Sequence, residues 1–368
     1  MTRQRIWLSI GIGLLTLTAV YFVVTGLRTC AWLDRLTGRS GCLHEIPVSA
    51  FYDSVVFSPD GRILAIDGTS QPVGLYDPEK GTLFALNDGS VVFHYMAGVE
   101  FSSDGRSLLD GRNIDAGDRK ETAFDIWKLD DGSLIRTVQV PPSATSWIYA
   151  VAFAPGDQSV MVAADQNVQS YRLDGTLIDT IAPEGYRPDI VLGFSPSGRL
   201  LAARDDKTFS DIHLWQMPAG TPMQTLHGSD AVSRLVFSPD DSLLAAISGH
   251  QVFVWQLASG KQLFTLGDQS QTDEILGLAF SPDGKTLVTT SGPRSTGVTA
   301  QSDQGASVDN MVRFWNLADG TLIRSLQPAE KETYYRAAAF SPDGHTLALI
   351  SSPSYPQGSY LRLWNVSK

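Results

Sequence analysis

His44, His94, His213, His227, His250 and His345 are the side chains best suited to proton transfer or metal binding near neutral pH. They are scattered along the chain and fall at different places in the repeat described below. Structural or solvent-facing roles account for them better than a metal centre does. No Gly-x-Ser-x-Gly, no His-Glu-x-x-His and no phosphate-binding loop occurs. Asp205-Asp206 and Asp273-Glu274 are small acidic clusters, expected to be solvated loop charges rather than calcium ligands. Asn365-Val366-Ser367 fits the glycosylation sequon and matters only in a source that glycosylates. These residues predict no catalytic site, no metal, no cofactor and hence no enzyme.

Recognition chemistry is better represented. Aromatics and arginines gather a few residues ahead of a recurring Phe: Phe51 and Tyr52, Tyr95, Trp147, Tyr186 with Arg187, and Tyr334 and Tyr335 with Arg336. Tyr, Trp and Arg dominate the energetics of protein interfaces. Packing between neighbouring structural units is the alternative role for the same residues.

Cys30 and Cys42 are the two cysteines, both just after a hydrophobic segment. That pair alone builds no metal site. A disulfide between them fits an oxidising compartment, and two free thiols in a linker is the other reading.

The elements that position these residues begin with the segment 6–27, IWLSIGIGLLTLTAVYFVVTGL, which has 22 residues and no charge. About 20 apolar residues in a helix cross the hydrocarbon core. A cleaved signal peptide has a shorter apolar region of about 7–15 residues and a small-residue cleavage site. Leu27-Arg28-Thr29-Cys30 resembles a lipoprotein box only loosely. An uncleaved anchor is therefore expected. Arg3 and Arg5 precede it and Arg28, Arg35 and Arg39 follow it, so the positive-inside rule sets no orientation. A short tail before an early helix, and a main domain without cysteine, favour a domain outside the cytoplasm.

Of the 368 residues, 18% are charged and 33 are glycine, which suits a fold of many tight turns. Residues 1–40 carry five arginines against one aspartate, so a net charge of −11 leaves −15 on the remainder. Such a domain repels phosphate backbones, which argues against nucleic acid as a partner.

That remainder is built from seven copies of one pattern. It is clearest at Leu278-Ala279-Phe280-Ser281-Pro282-Asp283-Gly284, and it recurs around Phe57, Phe101, Phe153, Phe194, Phe237 and Phe340. Successive Phe spacings are 44, 52, 41, 43, 43 and 60 residues. A short apolar strand ends in Phe, and Ser-Pro-Asp-Gly turns the chain. A second apolar strand follows. A third carries Tyr76, Trp127, Tyr171, Trp215, Trp255, Trp315 or Trp364, and another Gly turn leads to a fourth. Four short antiparallel strands per unit of about 40–45 residues is the signature of a β-propeller blade.

Val312-Arg313-Phe314-Trp315-Asn316 and Leu361-Arg362-Leu363-Trp364-Asn365 resemble the third strand of the WD40 family, and the resemblance covers roughly residues 43–368. Only Asp77 keeps the family's Asp after the aromatic, and the family's Gly-His before the first strand is missing. Ser307-Val308-Asp309 is similar to the family's Ser-x-Asp. The resemblance implies an all-β, seven-bladed propeller of a divergent, bacterial style, and the segment 6–27 places one transmembrane helix before it. It also implies that the clustered aromatics lie on the face where loops between blades open toward the central channel.

The seventh copy stops after its third strand. Residues 41–48 have the length to supply the fourth, closing the ring and removing an open edge. The segment 28–42 would then link anchor to propeller, reaching at most about 50 Å when extended. Blade 6 carries a polar insertion, Ser291 to Asn310, and shorter ones are expected near Gly111–Thr122 and Ser351–Ser359.

The function expected from these features is a non-catalytic, membrane-anchored scaffold. It would present Tyr95, Trp147, Tyr186, Arg187, Tyr334, Tyr335 and Arg336 to a protein or peptide. The alternatives are an enzyme or small-ligand receptor using the central channel, and an extracytoplasmic sensor.

Overall fold

The computed structural model describes residues 42–48, 52–68, 72–78, 82–86, 98–116, 119–141, 147–164, 167–184, 188–267, 274–292, 311–326, 333–353 and 359–367. These form seven four-stranded antiparallel sheets, one per blade. The innermost strands of blades 1 to 7 are Tyr52–Phe57, Val99–Phe101, Ile148–Phe153, Pro188–Phe194, Val232–Phe237, Glu274–Phe280 and Thr333–Phe340. The innermost strand of blade 7 packs against that of blade 1, so the ring closes. The anchor segment 6–27 and Cys30 lie outside the described residues, as does the side chain of Cys42. No helix among the described residues is long and apolar enough to cross a membrane.

Burial falls from the middle of each blade to its rim. The second strand is covered on both faces by neighbouring blades, and Leu64–Gly68 is buried throughout. This is why those strands read as continuous apolar runs rather than as alternations. The outermost strand of blade 3, Leu177–Ile181, is almost wholly exposed. The third-strand aromatics Tyr76, Tyr171, Trp215 and Trp255 are among the most deeply buried side chains, filling the space between blades.

The turn after each Phe is a small hydrogen-bonded unit. In blade 1 the Ser58 hydroxyl donates to Asp60 Oδ1 at 2.7 Å and accepts from the Ile63 N–H at 3.0 Å. The Arg62 N–H donates to the same carboxylate, and the Gly61 N–H closes the turn on the Ser58 carbonyl. Blades 2, 5, 6 and 7 repeat it with Ser102 and Asp104, Ser238 and Asp240, Ser281 and Asp283, and Ser341 and Asp343. The serine hydroxyl holds the last four aspartates below the usual carboxylate range.

Closure follows the expectation from the truncated seventh copy. The strand Cys42–Val48 pairs antiparallel with Ser359–Asn365 as the outermost strand of blade 7. Glu45 lies opposite Arg362 in that register, and the two side chains form a largely buried ion pair.

One expected insertion is instead regular structure. Strands Ser107–Ala116 and Arg119–Lys128 of blade 2 pair along their whole ten-residue length, up to Ala116 opposite Arg119. Residues 111–116 and 119–122 therefore extend two paired strands of blade 2. Residues 293–310 of the blade 6 insertion lie outside the described residues.

Candidate partner-binding site

The chain direction in each blade gives the ring two faces. Ser-Pro-Asp-Gly turns crowd one face. The connections entering the innermost strands share the other with the connections between second and third strands. Of the candidate binding residues, the described ones, Trp147, Tyr334, Tyr335 and Arg336, lie at the entries to innermost strands on this second, loop face.

Trp147 is half-buried at the entry to blade 3. The residue after it is clamped: Asn113 Nδ2 donates to the Ile148 carbonyl at 2.7 Å, and the Ile148 N–H donates to Asn113 Oδ1 at 2.8 Å. Asn113 is 1% exposed and comes from the extended hairpin of blade 2. Beside it, Arg112 and Asp125 form a buried ion pair at 3.1 Å, and the Thr137 hydroxyl donates to Asp125. This polar core fixes where the chain enters blade 3, and with it Trp147.

Tyr334 and Arg336 are half-buried at the entry to blade 7. The Arg336 guanidinium lies 5.5 Å from the Tyr334 ring centre and donates to its hydroxyl at 3.0 Å. This is a cation–π pair with a hydrogen-bonded tip. The Tyr334 ring leans on Gly292 of blade 6, where an added Cβ would come within 2.9 Å of it. The pair thus sits in the seam between blades 6 and 7, at the root of the blade 6 insertion.

Tyr335 is a different case. It is 1% exposed and belongs to the apolar core between blades 6 and 7. Its hydroxyl accepts from Arg362 at 3.4 Å, and its carbonyl accepts from the Thr290 hydroxyl. It supports the site from beneath and presents no surface to a partner. Tyr52 is likewise buried, with its hydroxyl donating to the Pro72 carbonyl.

The reason is a recurring β-bulge. Register shifts follow Tyr52, Ile148, Val232 and Tyr335, each five residues before the repeat Phe. All four are buried. Trp147 and Tyr334, six before the Phe, turn outward. The extra residue inverts the two-residue alternation that would otherwise decide the face. Trp147 and Tyr334 therefore stand in different seams, on opposite sides of the ring. Tyr95, Tyr186 and Arg187 lie outside the described residues.

Asp205 and His213 are absorbed locally. Asp205 accepts from the Lys207 and Thr208 N–H groups and pairs with His213 Nε2 at 2.9 Å. The Thr208 N–H, then His213, hold its carboxyl far below the usual range. It is a loop former. Among the described residues no group of three or more metal-binding side chains converges.

The central channel holds a residue that the sequence reading passed over. A cavity of about 940 Å³ is lined by the innermost strands of blades 1 to 5 and contains Glu100. Burial pushes the Glu100 carboxyl up to about 8, the Phe153 N–H it accepts from opposes this, and Asp157 adds to the rise. The residue before the repeat Phe is Val, Ala or Gly in the other six copies and Glu only here. That single charge at an otherwise apolar repeat position was the available signal.

Two stretches of the chain, residues 220–256 and 260–316, match the family model described as WD domain, G-beta repeat. Each runs from an outermost strand through the first three strands of the next blade, so the sequence repeat is staggered against the blade. That stagger is what lets an N-terminal strand complete blade 7. The chain is 28% identical over 158 residues to the small ribosomal subunit protein RACK1 of Caenorhabditis elegans, covering 39% of this chain and 47% of that protein. It is 25% identical over 187 residues to the protein of the same name from Neurospora crassa, covering 47% of this chain and 52% of that one. The alignments thus span about half the length of these relatives, and the likeness is one of WD-repeat propeller blades.

Proposed function

We propose that this chain is a non-catalytic scaffold whose loop face holds a protein or peptide partner. The observation that carries this reading is the pair of half-buried aromatic anchors on that face, Trp147 clamped through Asn113 and Tyr334 capped by Arg336. Preset aromatics and arginines bind with little ordering cost. The relatives support the same class of role, since their names make them components of an assembly. The charge of −15 beyond residue 40 favours a protein over nucleic acid as the partner.

The finer reading is that residues 6–27 tether the propeller to a membrane, with the propeller outside the cytoplasm. Their length and lack of charge support the tether. Protease shaving of intact cells tests the orientation. Cleavage within Ser291–Asn310 is expected before lysis. Protection until lysis, alongside an accessible control that is cut, would put the propeller in the cytoplasm and leave the cysteines as thiols.

Crosslinking from the full chain in its own membranes tests the face. Trp147→Ala and Tyr334→Ala with Arg336→Ala are expected to lower partner yield at least tenfold. Arg62→Ala on the turn face should leave it unchanged, and the reverse pattern would overturn the reading.

Glu100 favours a second reading, a small-ligand site in the channel. Native mass spectrometry of the purified chain checks it. A retained small molecule lost in Glu100→Gln supports that reading, and a bare chain counts against it.

A further inference from the structure

Phe209 has a backbone conformation that bulky side chains rarely adopt. Its φ is 57°, in the left-handed region. The other described residues with such a φ are glycines, Asp157 and Asp241, and both aspartates use it to aim a carboxylate at the preceding blade. Phe209 has no polar group to aim.

Its loop joins Leu200–Asp205 to Asp211–Gln216 in blade 4, on the loop face. The strained backbone is strapped on both sides. The Phe209 N–H donates to the Asp205 carbonyl at 3.2 Å, and the Val232 N–H of blade 5 donates to the Phe209 carbonyl at 2.7 Å. Asp205, itself held by His213, braces the loop from inside.

The outcome of this strain is an aromatic ring left 44% exposed. The Arg204 guanidinium covers one side of it, 5.3 Å from the centre. The other large exposed apolar side chains among the described residues lie on outermost strands or turn-face connections. Strain kept where it serves no internal packing is characteristic of binding sites.

The surroundings state the partner's charge. Asp206 is exposed three residues before Phe209 in the loop, Asp230 is exposed two residues before Val232, whose N–H binds the Phe209 carbonyl, and Asp211 lies at the loop's end, its carboxylate bonded to an exposed His227. Lys207 is the one exposed lysine of the loop, and Arg204 is engaged with the Val232 carbonyl.

We infer that Phe209, at the seam of blades 4 and 5, is the docking point for a partner segment carrying an apolar side chain next to Lys or Arg. The apolar group packs on the open face of the ring, and the cation meets Asp206 and Asp230. This rests on the scaffold reading and adds a third seam to the loop face.

The test uses the full chain in nanodiscs and three pools of synthetic twelve-residue peptides with random flanks. Their fixed centres are Leu-Arg, Leu-Glu and Ser-Arg. The Leu-Arg pool is expected to bind at least tenfold more than the others, to be lost with Phe209→Gly and to be retained with Phe209→Trp. Phe209→Gly should melt no lower than the parent, because glycine adopts this φ without strain. Leu-Arg binding that survives Phe209→Gly overturns the site while leaving the scaffold reading. Preference for Leu-Glu overturns the partner chemistry. A clear fall in melting temperature for Phe209→Gly makes the ring a packing element and overturns the inference. No binding by any pool overturns this inference, while the scaffold reading stands or falls on the crosslinking of Trp147 and Tyr334 variants.

Discussion

Glu45 and Arg362 stand 317 residues apart in sequence and face each other across the seam that closes the ring, Arg362 Nε lying 3.2 Å from Glu45 Oε2. Their side chains are 13% and 6% exposed. Arg362 also donates to the Tyr335 hydroxyl and lies over the Tyr360 ring. The closing strand is thus held by backbone pairing, by burial of Ile46 and Val48 and by a desolvated charge pair. Any pull from the N-terminal side reaches the propeller at this strand.

Removing one partner of a buried pair leaves the other charge uncompensated, which costs about 3 kcal/mol. Glu45→Ala should therefore shift the urea midpoint downward by a corresponding amount. Glu45→Leu combined with Arg362→Met should recover most of the loss, because apolar groups of similar volume replace the pair. An unchanged midpoint in Glu45→Ala would show that backbone pairing and the burial of Ile46 and Val48 hold the strand without the ion pair.

Much of this architecture was legible from residues. Seven Phe-centred copies fixed the blade count, and the short seventh copy pointed to a closing strand because each of the other copies supplies four strands to its blade. The Glu45–Arg362 pair was not legible, since strand register across 317 residues depends on how the closing strand seats. Tyr335 looked like Tyr334 because the bulge that separates their faces leaves no signature in side-chain type. The strand extensions 111–116 and 119–122 resembled an insertion because their polar residues pair through backbone, and buried Asn113 and Arg112 are satisfied only in three dimensions.

Departures from Ser-Pro-Asp-Gly occur in pairs across blades. In blade 2, Ser103 replaces the proline and so has an N–H to satisfy. It donates at 2.8 Å to Asp157, which occupies the glycine position of the blade 3 turn at φ 56°. In blade 4, Ser197 replaces the aspartate, and Asp241 of blade 5 supplies the carboxylate to Ser195 and Ser197. Asp157→Gly loses that bridge but relieves strain, whereas Asp157→Ala loses the bridge and keeps the strain. Asp157→Ala should therefore be the less stable of the two by about 1 kcal/mol, measured by urea unfolding. Equal stabilities would mean the left-handed turn relaxes on losing the carboxylate.

Glu100 gives stability a pH dependence opposite to that of the turn aspartates. Its folded value of about 8 lies above the ordinary 4.5, so the native state binds this proton more tightly than the unfolded chain does. The contribution is fully present below about pH 4.5 and is lost as pH rises toward 8. The turn aspartates, held below their ordinary 3.8, contribute above that value and lose it in acid. Thermal unfolding should show a maximum between these limits, with a decline from about pH 5 to pH 8 that Glu100→Gln flattens. Parallel pH profiles for the two proteins would mean that the folded channel does not hold the Glu100 proton more tightly than the unfolded chain does.

Tyr334 and Tyr335 separate binding from support within two consecutive residues. Tyr335→Ala empties a buried aromatic site and leaves the Arg362 guanidinium without that hydroxyl, a loss of roughly 3–5 kcal/mol. Tyr334 is half-buried, so Tyr334→Ala should cost only about 1 kcal/mol, the ordinary value for a partly exposed substitution. Partner yield at matched folded fraction should fall with Tyr334→Ala and stay near the parent with Tyr335→Phe, which keeps the ring and deletes the hydroxyl. Circular dichroism melts fix the folded fraction, and crosslinking yield reads the binding. Loss of partner with Tyr335→Phe at full folding would mean that the Arg362–Tyr335 contact transmits to the loop face. Loss with neither would move the binding surface away from the seam of blades 6 and 7.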